Sequence, residues 1–312
     1  MTWQWDAPAG VYKDHALSSK IRMAALADAL FLKFATPEEG FGKGQGQSVT
    51  ITKVGKLPLA RRVAETEELP TNRASITTKT ITVSEWGSKL TLTSHEINLT
   101  HYNLSAKMKQ TLTDQMRLTQ DKMVADAMKL TPYKFIPLAA GSVFDTDGVP
   151  SAVADRNLNI SDLRMIKDEL SGNLKCPPRQ QGYVGILSTR AARGIKNDPE
   201  YKDWQAPTDP GPFRDGRLRN VEGMMLIECN HWVNGTDEGA LDDSIGSGGV
   251  LGEAVFFGAD AVALAIVEEP ELRMGIPQDL GRQREIGWYG TEEAGLPWDL
   301  ASEARVIHVT SQ

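Results

Sequence analysis

The residues whose types could do chemistry in this chain are few, and spacing counts against each group. Gly42-Lys43-Gly44-Gln45-Gly46-Gln47-Ser48 has the glycine density of a phosphate-cradling loop. Such a loop needs G-x-x-x-x-G-K-[ST] or G-x-G-x-x-G, followed by a helix whose free N–H groups take the anion. Neither spacing fits, and a strand pattern follows, so the segment reads as a hinge. His95-Glu96 and His101 offer metal ligands, but the histidines are six apart, not the four that places both on one helical face. Cys229-Asn230-His231 sets a thiol beside a base, yet catalytic pairs usually meet across a fold. Cys229 closes an apolar run and reads as a buried structural thiol. Asp237, Glu238, Asp242 and Asp243 depart from the EF-hand spacing and read as a solvated turn. No G-x-S-x-G elbow occurs. No catalytic, cofactor or metal residue is assigned.

A fifth group is of another kind. Arg61 and Arg62 stand opposite Glu65, Glu67 and Glu68 in a Pro-containing loop. The sequence leaves two readings even: a solvated loop, or an intermolecular charge contact that sets register and partner choice.

That loop lies inside residues 48–93, which pattern as a long hairpin. Val49 and Ile51 alternate with threonines, as do Ile81 and Val83 with Thr82 and Ser84. Period-two runs of β-branched residues read as strands with one apolar face. A strand of about ten residues spans roughly 33 Å, so the hairpin is an arm, and an isolated hairpin is marginal in water. The arm is expected to lack a core of its own and to lie on a neighbouring molecule. Ile81 and Val83 are odd-numbered and Leu90 and Leu92 even-numbered, so the buried face should switch near Trp86-Gly87-Ser88, at a bulge or twist.

Composition bounds the remainder. The chain has 312 residues, 40% hydrophobic and 24% charged, ordinary for a folded protein of one large or two modest domains. A net charge of −7 argues against bulk nucleic-acid binding. Two cysteines suggest no disulfide framework and fit a reducing compartment. No apolar run approaches the length of a membrane span, and the N-terminus lacks a signal-peptide pattern.

Ile21, Ala24, Ala27, Phe31 and Phe34 predict a helix over residues 18–34, capped by Ser18 or Ser19 and stopped by Pro37 and Gly40. Leu104, Met108, Leu112, Met116, Met123, Ala127 and Leu130 predict a second helix over 103–130, with Lys109, Asp114, Arg117 and Asp121 on its polar side. At about 1.5 Å per residue that helix is a rod of about 40 Å. A mixed α/β pattern follows, with strands at 183–187 and 224–228 and helices opening near Ser161-Asp162 and Ser188-Thr189. Loops 206–219 and 234–249 interrupt it. Further strands are expected around 261–267, 284–289 and 305–309.

This order of elements resembles the major capsid proteins of tailed bacteriophages, in the group that includes the N-four-like coat proteins. The likeness covers most of the chain. It rests on Glu85-Trp86-Gly87 with Leu90-Thr91-Leu92-Thr93, the long helix with Asp121, residues 195–201 and 223–228, and Ile286-Gly287-Trp288-Tyr289. The resemblance implies an α+β fold of the Hong Kong 97 type. It implies an N-terminal arm at 1–47 and an extended loop at 48–93. It further implies an axial domain at 135–253 and a discontinuous peripheral domain at 94–134 and 254–312, its last strands partly shared.

The implied function is a shell protein assembling as hexamers and pentamers into an icosahedral head around double-stranded DNA, held without sequence-specific binding. The implied intersubunit contacts are Val49, Ile51, Arg61, Arg62, Glu65, Glu67, Glu68, Ile81, Val83 and Trp86. The implied packing residues of the spine helix are Leu104, Met108, Leu112, Met116 and Met123. Portal and decoration proteins are implied partners, no cofactor or membrane is, and the location is the virion, after assembly in the host cytoplasm. Two departures stand out. Relatives often carry Glu-Gly before the tip proline, where this chain has Glu67-Glu68-Leu69-Pro70. Some relatives carry a scaffolding segment before the arm; none is read here, so a separate scaffolding protein is expected. The alternatives are a nanocompartment shell of the same fold and, from another class, a soluble α/β enzyme.

Overall fold

The computed structural model describes residues 27–38, 42–65, 67–99, 104–180, 182–201, 218, 220–233, 239–243 and 251–310. Its strands are β1 (Thr36–Pro37), β2 (Ser48–Val54), β3 (Ile76–Thr82), β4 (Ser84–Thr93), β5 (Lys134–Ile136), β6 (Val143–Asp145), β7 (Tyr183–Leu187), β8 (Met224–Glu228), β9 (Ala254–Phe257), β10 (Ala263–Met274), β11 (Gln283–Gly295) and β12 (Val306–Val309). Its helices are α1 (Ser94–Leu99), α2 (Leu104–Lys129), α3 (Ile160–Asp168) and α4 (Thr189–Asn197). The strands form a four-stranded sheet ordered β1-β10-β11-β4, a six-stranded sheet ordered β6-β5-β12-β9-β7-β8, and the separate hairpin β2-β3.

Helix α2 joins the two larger sheets. Toward its N-terminal end, Met108, Leu112 and Met116 pack against Leu92, Ile286 and Trp288 of the four-stranded sheet. Toward its C-terminal end, Met123, Val124 and Met128 pack against Val184, Val255, Phe257 and Val306 of the six-stranded sheet. The opposite face of that sheet is covered by Ile160, Leu163 and Ile166 of α3 and by Ala191 and Ile195 of α4. Both of these helices start where the sequence caps them. The Asn159 side chain accepts from the Asp162 N–H in a reciprocal capping box, and the Ser188 hydroxyl accepts from the Ala191 N–H.

Three expectations need correction. Residues 18–26 lie outside the described residues, and 27–34 are not α-helical: Phe31–Phe34 is one 3-10 turn and β1 follows. The cause is tertiary. Phe31 is buried, Phe34 meets the Phe257 ring edge-on at 5.2 Å, and the Thr36 and Glu38 N–H groups bond to the Val262 and Leu264 carbonyls. Pro37, which has no N–H, fits this edge strand.

The face switch falls at Ser84–Glu85, two adjacent exposed residues just before Trp86–Ser88, and not at a bulge. Ile81 and Val83 face inward from the hairpin, and Trp86, Leu90 and Leu92 face inward from β4. The chain changes sheet between them, while β4 pairs with β11 from Ser84 to Thr93 without a shift. The bulges lie instead in β10, between Ile266 and Glu268 and between Glu268 and Glu271.

The hairpin base has a core. Ile81 and Val83 are buried, with Val49 and Ile51, against Ala263 and Ala265 of the same chain. Strands β9 and β12 pair within the six-stranded sheet, so residues 254–257 and 306–309 pack with the mixed α/β region.

Candidate assembly surface

Beyond its base the hairpin buries almost nothing. Residues 56–62 and 67–78 are exposed, and Leu57, Leu59 and Leu69 stand at 55%, 97% and 80% exposure. An apolar group of that kind on an extended segment marks a contact surface more often than an isolated surface leucine does. Within the tip, Arg61 Nη2 lies 2.6 Å from Glu67 Oε1, and the Glu67 N–H donates to the Ala64 carbonyl. Arg62, Glu65 and Glu68 are exposed beside them.

The proposed contact residues therefore divide. Val49, Ile51, Ile81 and Val83 turn onto β10 of their own chain. Trp86 is half-buried inside the sheet, its Nε1–H donating to the Glu292 carbonyl at 3.1 Å. Their alternation signalled burial correctly, but period two does not say whose surface covers the face. Of the helix residues, Met108, Leu112, Met116 and Met123 pack inward. The Leu104 side chain lies outside the described residues. Leu130, read as part of the stripe, is 81% exposed just past the helix end.

A second exposed apolar end was missed. Leu272, Met274, Ile276 and Leu280 stand at 38%, 61%, 86% and 104% exposure where β10 turns into β11. Asp279 and Leu280 have φ of +48° and +55°, left-handed backbone that glycine adopts freely and leucine does not. Pro277 and Gly281 were the available signals of a turn there.

Gly44 and Gly46 have φ of +83° and +100°, backbone that glycine adopts at no steric cost. Glu96 caps α1: its carboxylate accepts from the Thr93 N–H at 2.9 Å, and its own N–H donates to the Thr93 hydroxyl at 3.2 Å. His95 is exposed, and His101 lies outside the described residues. Burial pushes the Cys229 thiol up to about 12, so it stays protonated, and the His231 ring meets Asp121 instead, at 2.9 Å. Asp243 Oδ1 accepts from the Arg190 N–H at the start of α4, whereas Asp237 and Glu238 lie outside the described residues, as do most of the two predicted loops. Among the described residues, no three His, Cys, Asp or Glu side chains gather as a metal site, and no helix is long and apolar enough to cross a membrane.

Asp121, expected on the polar side of α2, is fully buried. Its Oδ1 accepts from the Leu32 N–H at 3.1 Å, tying the segment before β1 to the long helix. A second buried polar group joins two strands, the residue before β9 and the helix end. His308 Nε2 lies 3.1 Å from Glu253 Oε1, and His308 Nδ1 lies 3.1 Å from Lys134 Nζ, which also donates to the Lys129 carbonyl. The ammonium can only donate, so Nδ1 accepts and Nε2–H donates to the carboxylate. Single-residue patterns carry no signal for such pairings across 110 and 55 positions.

No protein-family model and no curated protein matches this sequence. Solved structures do. The acidic stable capsid of Helicobacter pylori bacteriophage KHP30 superposes with a TM-score of 0.75 at 16% identity, covering 98% of this chain and 97% of that one. The cyanophage Pam1 capsid gives 0.74 at 13% identity, with 99% of each chain covered. The capsid of Ralstonia phage GP4 gives 0.68 at 10% identity, covering 100% and 99%. The chain has the α+β fold of these phage capsids, the Hong Kong 97 type.

Proposed function

We propose that this chain is the major capsid protein of a tailed, double-stranded DNA bacteriophage. It assembles through hexamers and pentamers into an icosahedral head. The observation that carries the reading is the two-way coverage: the chain and the Pam1 capsid protein each superpose over 99% of their length, with no large part of either left for another task. The hairpin supports it, since Leu57, Leu59 and Leu69 stand exposed and would gain burial in a contact with a neighbouring subunit. Many modest contacts of this kind, repeated around a shell, add to high avidity.

In this reading residues 1–47 are the N-terminal arm and 48–93 the extended loop. We assign the four-stranded sheet with α2 to the peripheral domain and the six-stranded sheet to the axial domain. Strands β9 and β12, which pair in the six-stranded sheet, are then the part of segment 254–312 that the axial domain shares. The resemblance to N-four-like coat proteins rests on the short segments named above. A separate scaffolding protein, a portal, a decoration protein and the packaged DNA are the proposed partners. The net charge of −7 suits a wall that must not hold its DNA tightly. No catalytic role is proposed, and the location is the virion, after assembly in the host cytoplasm. Electron microscopy of the expressed chain with its candidate scaffold tests this: closed shells support it, and a chain that stays monomeric under those conditions contradicts it.

A further inference from the structure

The base of the hairpin is held to the body by charge as well as by apolar contact. Lys53, on β2, is 3% exposed although it sits on an arm. Its ammonium lies 2.8 Å from Asp299 Oδ1 and also contacts Glu303 Oε1. Lys79, across the hairpin on β3, reaches Asp299 Oδ2 at 3.1 Å. The two carboxylates belong to the connection between β11 and β12, which is itself pinned to the body. Arg305 stacks 3.7 Å from the Trp298 ring centroid, and both Trp298 Nε1 and Arg305 Nη1 donate to Asp260 Oδ2. One side of the contact is thus fixed and the other rides on the arm.

We propose that Lys53, Asp299 and Glu303 form a clasp that sets the angle at which the hairpin leaves the body, and that opening it lets the hairpin swing while the rest of the fold stays intact. The apolar seam alone does not fix that angle. Ile81 and Val83 rest mainly on small residues, Ala263, Ala265 and Gly295, with Val267 at the margin, a shallow surface with little shape to lock a direction. Ion pairs at a part-exposed seam contribute little net stability but constrain orientation, because two carboxylates on one ammonium admit few geometries. A cleft lined by Lys79, Ile81, Ala127, Leu130, Glu293 and Asp299 opens beside the clasp and leaves room for movement. Burial disfavours the Lys53 charge, but the two carboxylates outweigh it and raise its pKa; burial likewise works to raise Asp299, and the hydrogen bonds from Lys53 and Lys79 outweigh it and lower its pKa.

The consequence for shell building rests on the function proposed above; the clasp itself does not. It is therefore tested on the full-length, unassembled chain. Spin labels at Thr78→Cys on the hairpin and Arg117→Cys on α2 report the distance between arm and body by pulsed electron resonance. The clasp predicts a narrow distribution in the parent chain and in Lys53→Arg. It predicts a distribution about twice as wide in Lys53→Met and in the Asp299→Asn, Glu303→Gln double variant. A distribution that stays narrow in both charge-removing variants overturns the proposal. So does loss of the whole fold in both, which would make the triad part of the core. Failure to form particles has no bearing on this readout.

Discussion

Asp121 Oδ2 lies 2.9 Å from His231 Nδ1 in a site where the carboxylate is fully buried, and the other oxygen of the same carboxylate receives the Leu32 N–H. One side chain near the middle of the long helix thus joins the entering chain, the helix and the turn after β8. Removing a buried acceptor leaves its donors unpaired, at about 1–3 kcal/mol for each. Asp121→Ala is expected to lower the unfolding free energy by roughly 2–4 kcal/mol. Asp121→Asn, which keeps one acceptor, should cost less. Chemical denaturation of both variants checks the order, and amide exchange should quicken first at Leu32.

The His308–Glu253 pair makes a pH prediction. Burial lowers the His308 pKa, against the pull of Glu253 and aided by Lys134 and Lys129. Burial raises Glu253, but the hydrogen bond from His308, the Lys129 charge and the Asp242 N–H outweigh it and lower its pKa. A group whose folded pKa is lowered binds fewer protons folded than unfolded, so stability rises with pH. The contribution is complete above the unfolded values, about 6.5 for histidine and about 4.3 for glutamate. It is lost as pH falls below each in turn. Denaturation midpoints should therefore drop between pH 7 and 5, and His308→Gln should flatten that part of the slope. An unchanged slope in the variant would remove His308 from the explanation.

Gly87 is required by close approach. A Cβ there would sit 2.8 Å from the Trp288 carbonyl oxygen, across the β4–β11 pair. Gly87→Ala should cost roughly 1–3 kcal/mol through strand displacement, read as a lowered Tm.

Leu280 makes the opposite prediction. It is fully exposed and holds a left-handed backbone, so in the unassembled chain it contributes strain without burial. Leu280→Gly should stabilise the subunit by about 1 kcal/mol. If the strained turn presents the leucine to a neighbour, the same variant should assemble less well. A more stable subunit with undiminished assembly would leave the strain without that explanation.

Much of the scaffold was legible because it follows from short-range rules. Strands β7 and β8 fall where continuous apolar runs place them, α4 starts at Ser188-Thr189 as read, and α3 starts just before Ser161-Asp162, with Asn159 as its cap. What was not legible depends on partners distant in sequence. The period of Phe31 and Phe34 is helical, yet Asp121 and the edge of β10 draw that segment out into a turn and a strand. Lys53 falls on the Val49–Ile51 face of its strand, where the alternation calls for an apolar residue, and only Asp299 and Glu303, some 250 positions later, explain a buried ammonium there. The apolar face of the hairpin was visible from its alternation; that Ala263 and Ala265 cover its base was not.

The central claim is assembly through the arm, and deletion of residues 57–72 with electron microscopy of the product tests it most directly. The variant should keep its folded body, with parent-like protection in β7, β9 and β12, and yield free subunits where the parent chain yields closed icosahedral shells. Normal shells from the deleted chain would contradict the role given to the hairpin tip.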